Sequence, residues 1–128
     1  NELSLTHSVQ LPGFVENPYA YMSRCSLFVL SSAWEGLSNV LVEALACGAP
    51  IVSTDCKYGP AEILENGRHG VLVPVGDASA LAEAMLANIS KRADTASLRQ
   101  RALDFSLDTI TQQYLDLFTT VYCEANTP

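Results

Sequence analysis

"SLFVLSSAWEGLSNVLVEALACGAPIVST", Ser26 to Thr54, changes its periodicity twice. Ser26–Ser32 is a continuous apolar run of strand length, the pattern of a strand covered on both faces. A helix is predicted from about Ser38 to Cys47, stopped by Gly48, the residue that most readily adopts the left-handed conformation closing a helix. "PIVST", Pro50–Thr54, is the next buried strand. Strand, helix and strand on short connections predict a parallel sheet. Within this apolar stretch Glu43 is the only charged residue from Gly36 to Thr54, and Glu35 stands just before it. Burying an unpaired polar group costs about 2–7 kcal/mol, and a lone charge more. Glu43 must therefore be satisfied internally or kept for a ligand.

The same alternation runs outward in both directions. "SVQLPG", Ser8–Gly13, predicts a short strand ended by Pro-Gly. In "NPYAYMSRC" Asn17 is the expected helix cap and Pro18 the first helical residue, with Tyr19 and Tyr21 expected to pack on that helix. After "DCKYGP" comes a short helix around Ala61–Glu65 closed by "NG", then a strand, "GVLVP". Asp77 caps "ASALAEAMLANI", where Leu81, Met85 and Ile89 recur at helical spacing. Two further helices are predicted, about Thr95–Asp104 and Leu107–Cys123. The second is capped by Ser106 and places Leu107, Ile110, Tyr114, Leu117 and Val121 on one face. The terminal "EANTP" is expected to fray. The fold class is α/β, a Rossmann-like parallel sheet with helices on both faces, in a single domain over residues 1–128.

Composition narrows the partners. The 128 residues carry a net charge of −7, which argues against nucleic acid and against docking on anionic lipid through this surface. Gly48, Pro50 and several polar residues interrupt the longest low-charge stretch, which is no membrane span. The four cysteines form no C-x-x-C pair and read as free thiols of a reducing compartment. His7 and His69 are far apart and "GRHG" reads as a turn, so no metal site is expected. Lys57, in a polar loop, reads as a solvated lysine.

Parallel sheets bind ligands at the carboxyl ends of their strands, where helices begin. Glu35, Gly36, Leu37, Ser38 and Asn39 fall there. The first N–H groups of a helix lack partners, and the helix dipole adds about half a positive charge. Together they form an anion site suited to a pyrophosphate, and Gly36 lets the backbone approach without a Cβ. Glu43, a turn deeper, can accept both hydroxyls of a ribose. Glu35 can accept hydroxyls from a sugar beyond the phosphates. Two acids at this spacing also occur by chance. In that case Glu43 caps a neighbouring loop and Glu35 is a surface acid before a helix, where acids are favoured anyway.

"EGLSNVLVEALACGAPIVST", with "LPGFVENPYAYMSRCSLFVLSS" before it and "YGPAEIL" and "NGRHGVLVP" after, resembles the donor-binding half of a retaining glycosyltransferase of the two-domain GT-B fold. The group is the large family 4, which includes lipopolysaccharide, capsule and mannosyl transferases. The resemblance runs from about Val9 to Tyr122, and its E-x7-E motif agrees in spacing and flanks. It implies that Glu35 contacts the donor hexose and acts in catalysis, and that Glu43 holds the nucleotide ribose. It further implies that the amides of Gly36–Asn39 meet sugar and diphosphate, and that Gly13, Phe14 and Val15 line the nucleobase pocket. The "DCKYGPAEI" loop resembles a subgroup transferring hexoses or N-acetylhexosamines in bacterial surface glycans.

The implied activity is hexosyl transfer with retention, by front-face attack, from a nucleotide-diphosphate sugar to a glycan or lipid-linked acceptor. No metal or other cofactor is implied, which suits the absence of a D-x-D motif. The family's Arg and Lys on the diphosphate have no counterpart here and would lie upstream, together with an N-terminal acceptor domain. The chain thus resembles a C-terminal domain truncated at its N-terminus, with the helix of residues 106–123 contacting the missing half. The expected setting is the cytoplasm, at the inner face of the membrane only through that other domain. Two other readings are a non-catalytic nucleotide-sugar-binding module and a sugar-nucleotide epimerase of the same architecture.

Overall fold

The computed structural model describes residue 5 and residues 7–125. Three parallel strands form its sheet, β1 (Phe28–Leu30), β2 (Ile51–Thr54) and β3 (Val71–Val73), in the order β1-β2-β3. Phe28 pairs with Ile51, Val29 with Val52 and Leu30 with Ser53; on the other side Val52 pairs with Val71 and Thr54 with Val73. The helices are α1 (Tyr19–Met22), α2 (Asn39–Cys47), α3 (Pro60–Ile63), α4 (Ala78–Asn88), α5 (Thr95–Leu103) and α6 (Leu107–Ala125).

All four residues of β2 are buried, as a central parallel strand requires. β1 departs from the sequence expectation: its three residues are only half-buried, because it is an edge strand paired with β2 alone. A second departure is Ser8–Gly13, where no strand forms. A strand is stable only with a ladder neighbour, and among the described residues none lies beside this segment. Leu11 is accordingly exposed.

The core lies where α2 meets α3 and α5. Leu41, Ala44 and Leu45 of α2 pack with Ile51, Ile63, Leu64, Leu98 and Ala102. Gly48 ends α2 in the left-handed conformation (φ 75°), its N–H bonded to the last turn. α4 packs on β2 and β3 and is capped by Asp77, which accepts from the Ala80 N–H at 2.8 Å. Its stripe is shallower than its periodicity suggests: Leu81 and Met85 are half-buried and Ile89 is exposed. α1 is shorter than predicted, yet Asn17 Oδ1 accepts from the Ala20 N–H (3.2 Å) as a cap does.

Ser106 caps α6 through the Thr109 N–H (3.2 Å). Leu107, Tyr114, Leu117 and Val121 are more than half exposed, so most of the predicted apolar face of α6 is open in this chain. Residues 126–128 of the terminal stretch lie outside the described residues. Cys25, Cys47 and Cys56 are free thiols, and burial pushes the Cys25 thiol above its ordinary pKa. His69 is buried between Glu65 Oε2 (3.2 Å) and Ser97 Oγ (3.5 Å).

Candidate functional site

The loop leaving β1 is held by the neighbouring strand. Thr54 Oγ1, at the carboxyl end of β2, donates to the Ser32 carbonyl at 2.6 Å. The Ser32 hydroxyl in turn donates to Glu35 Oε1 at 2.6 Å. A hydroxyl–carboxylate bond of that length is charge-assisted and among the stronger kind. It fixes Glu35, half-buried, at the mouth of α2 and leaves Oε2 without a partner among the described residues.

Beyond Glu35 the first backbone donors are unoccupied, as at other helix starts. Among the described residues no acceptor takes the N–H groups of Gly36, Leu37 or Ser38, while the Asn39 N–H turns back to the Leu37 carbonyl at 3.0 Å. Three of the four expected amides are therefore free and the fourth is engaged. Ser38 is the N-cap residue but makes no cap bond. Its hydroxyl is buried and has no hydrogen-bond partner, with the residue only 2% exposed. Buried polar atoms normally find a partner, and an orphan calls for an explanation.

Gly36 adds an independent sign. A glycine is usually required by a positive φ or by a close approach that a Cβ would obstruct. At Gly36 neither holds: its φ is not in the left-handed region, and an added Cβ would meet nothing within 4 Å. The folded chain has no need of glycine there. The backbone at Gly36 is thus open to a molecule approaching from outside.

Glu43 lies about a turn inside α2, half-buried and without an ion pair among the described residues. The Tyr19 hydroxyl donates to its Oε1 at 3.3 Å. The nearby carboxylate holds the Tyr19 phenol above its ordinary pKa of 10.0. Tyr19 is thus half-exposed beside Glu43, and its hydroxyl reaches across to α2, a contact the helical packing assigned from sequence did not include. An apolar cleft of 280 Å³ lies between α1 and β1, lined by Pro12, Gly13, Val15, Tyr21, Met22 and Phe28 among others. Phe14, between Gly13 and Val15 in sequence, is not among the lining residues and is 91% exposed.

The structure gathers Glu35, Gly36, Leu37 and Ser38 at one helix mouth, with Glu43 a turn along. Gly13 and Val15 sit in a separate cleft. Lys57 is exposed, its Nζ 5.0 Å from the Tyr58 ring centre. Sequence reasoning missed Ser32, Thr54 and Tyr19. Ser32, three residues before Glu35 in a polar loop, was the one that spacing could have found.

A sequence model of the family described as "Glycosyl transferases group 1" matches residues 1–91. The chain is 44% identical over 80 residues to N-acetylgalactosamine-N,N'-diacetylbacillosaminyl-diphospho-undecaprenol 4-alpha-N-acetylgalactosaminyltransferase of Campylobacter jejuni, covering 62% of this chain and 22% of that protein. It is 31% identical to the lipopolysaccharide core biosynthesis glycosyltransferase LpsE of Rhizobium meliloti, covering 91% and 35% respectively. A crystal structure of Anabaena HepE in complex with UDP superposes with a TM-score of 0.79 at 30% identity, over 93% of this chain and 34% of that one. The chain spans about a third or less of the length of these relatives.

Proposed function

Since the chain belongs to the glycosyl transferases group 1 family, we propose that it is the C-terminal, donor-binding domain of a retaining GT-B glycosyltransferase. In this reading it binds a nucleotide-diphosphate sugar and serves hexosyl transfer to a glycan or lipid-linked acceptor. The observation that carries it is the set of free amides at Gly36, Leu37 and Ser38, beside a glycine the fold itself does not require.

The amides of Gly36–Ser38 donate to the diphosphate oxygens. Negative charge grows on the leaving phosphate as the glycosidic bond breaks, and donors already fixed in place stabilise it without reorganisation. The free Oε2 of Glu35 takes hydroxyls of the sugar, and Glu43 takes the ribose diol beside Tyr19. The cleft containing Gly13 and Val15 takes the base; the UDP bound by HepE makes uracil the first base to try. The protein supplies amides and carboxylates here, and we assign no metal to the transfer. α6, with its open apolar face, lies against an acceptor domain. The relatives named above include enzymes of lipid-linked and lipopolysaccharide glycans, which supports work at a membrane, and we assign it to the cytoplasmic face. Among the described residues no helix is long and apolar enough to cross one.

The test is calorimetric titration of UDP and GDP into the longest natural polypeptide that carries this chain, as wild type and as Gly36→Ala. The substitution should leave the melting temperature unchanged, since a Cβ at 36 meets nothing, while weakening nucleotide binding roughly tenfold or more by obstructing the approach. Full affinity in Gly36→Ala removes the diphosphate from this helix mouth. With donor and acceptor present, NMR of the product anomer decides retention.

A further inference from the structure

Gly59, in the loop between β2 and α3, meets two separate demands. Its φ is +91°, and a Cβ built there would lie 2.8 Å from the Gly36 carbonyl oxygen and 3.3 Å from the Ser38 nitrogen. Both neighbours are backbone atoms and cannot swing aside as a side-chain tip would. Both belong to the segment whose amides are free.

The loop carrying Gly59 is braced at several points. The Asp55 N–H donates to the Val73 carbonyl at 2.7 Å. The buried Cys56 thiol lies 3.7 Å from the Tyr58 carbonyl. The Gly59 carbonyl accepts the Ile63 N–H at 2.8 Å, opening α3. α3 is itself anchored by Ile63 in the core and by Arg101, which donates to the Glu62 and Ile63 carbonyls at 2.7 and 3.0 Å. A rigid path thus leads from α5 through α3 to the mouth of α2.

We propose that Gly59 is a positioning residue of the donor site, its bare α-carbon seating the β2–α3 loop against Gly36 and Ser38 and so fixing where the free amides of Gly36–Ser38 point. The inference rests on the donor-site reading above. Binding constellations work when held within about 0.5 Å of their productive geometry. Ordinary van der Waals contact begins near 3.4 Å, so a methyl group at Gly59 must displace the Gly36 carbonyl by several tenths of an ångström. That displacement falls on the amides themselves.

The experiment compares Gly59→Ala with Gly67→Ala. Gly67 has a similar φ of +97°, but a Cβ there would come no closer than 3.6 Å to its nearest neighbour. It therefore reproduces the backbone strain without the contact. UDP and GDP are titrated into both variants of the longest natural polypeptide that carries this chain, and the nucleoside of the tighter-binding diphosphate serves as a probe lacking phosphates. Gly59→Ala should lose roughly tenfold or more in diphosphate affinity and little for the nucleoside, while Gly67→Ala keeps wild-type affinity.

Wild-type protein that binds neither diphosphate overturns the donor-site reading and this inference with it. Wild-type binding with undiminished affinity in Gly59→Ala, or an equal loss in Gly67→Ala, overturns the role of Gly59 alone. Should Gly59→Ala fail to fold, hydrogen exchange in the wild type decides. The diphosphate should slow the amides of Tyr58 and Gly59 together with those of Leu37 and Ser38. Slowing confined to 37 and 38 overturns the proposal.

Discussion

The Tyr19 hydroxyl donates to Glu43 Oε1 across 3.3 Å, tying the first turn of α1 to the middle of α2. Glu43 raises the phenol's pKa above 10.0 because ionising Tyr19 would set two negative charges side by side. The bond therefore persists through neutral pH and is lost as pH climbs through that raised value. Titration of the tyrosines by ultraviolet absorbance should show one phenol ionising above the others, returned toward 10.0 by Glu43→Gln. An unchanged titration in that variant would mean the pair does not form in solution. Tyr19→Phe should weaken nucleotide binding only about two- to fivefold, the worth of one long, exposed hydrogen bond.

Ser32 and Glu35 give a graded pair of variants. Removing the charge of Glu35 with Glu35→Gln should lower turnover about a hundredfold. Ser32→Ala, which only releases the carboxylate from its 2.6 Å bond, should lower it about tenfold, since bonds to charged groups contribute about 1.5–3 kcal/mol. In both, KM for the donor should move less than kcat. Steady-state kinetics checks the order, and a Ser32→Ala enzyme as slow as Glu35→Gln would refute a role limited to orienting the acid.

Arg101 carries a prediction for stability. It donates to the Glu62 and Ile63 carbonyls, pairs with Asp104 at 2.9 Å and approaches Glu65 at 3.4 Å, with its side chain 14% exposed. Arg101→Ala strands the Ile63 carbonyl, leaves the Glu62 carbonyl only the long 3.3 Å bond from the Glu65 N–H, and should cost about 2–4 kcal/mol, read from the urea midpoint. Arg101→Lys should restore only part of this, since one ammonium cannot reproduce the guanidinium fork.

Gly48 offers a test with an internal control. A Cβ there would collide with the Thr95 methyl group, and its φ of +75° adds strain of its own. Gly48→Ala should cost about 2–4 kcal/mol, combining overpacking with left-handed strain. Adding Thr95→Ser, which removes the methyl group, should recover the steric part and leave about 1–2 kcal/mol. Strictly additive losses in thermal denaturation would exclude the collision.

Much of the fold was legible because its signals are local. Gly48 closes α2, Asp77 caps α4 and Ser106 caps α6, each through neighbouring backbone. The apolar runs at β1, β2 and β3 were equally plain. Ser8–Gly13 was misjudged because alternation describes what a strand prefers, whereas a ladder neighbour decides whether it forms. Within the candidate site the helix mouth could be placed from Glu35–Asn39. The Tyr19–Glu43 bond, the Thr54–Ser32 brace and the seat of Gly59 could not, since each joins residues more than 20 positions apart.

Gly36 separates two kinds of selection that usually act together. A library at this position sorted for survival of heat or protease should accept alanine and serine freely. The same library sorted for retention of a nucleotide should return glycine almost alone. Most glycines in this chain would fail both screens, so the mismatch at 36 would register the ligand even if its identity were unknown.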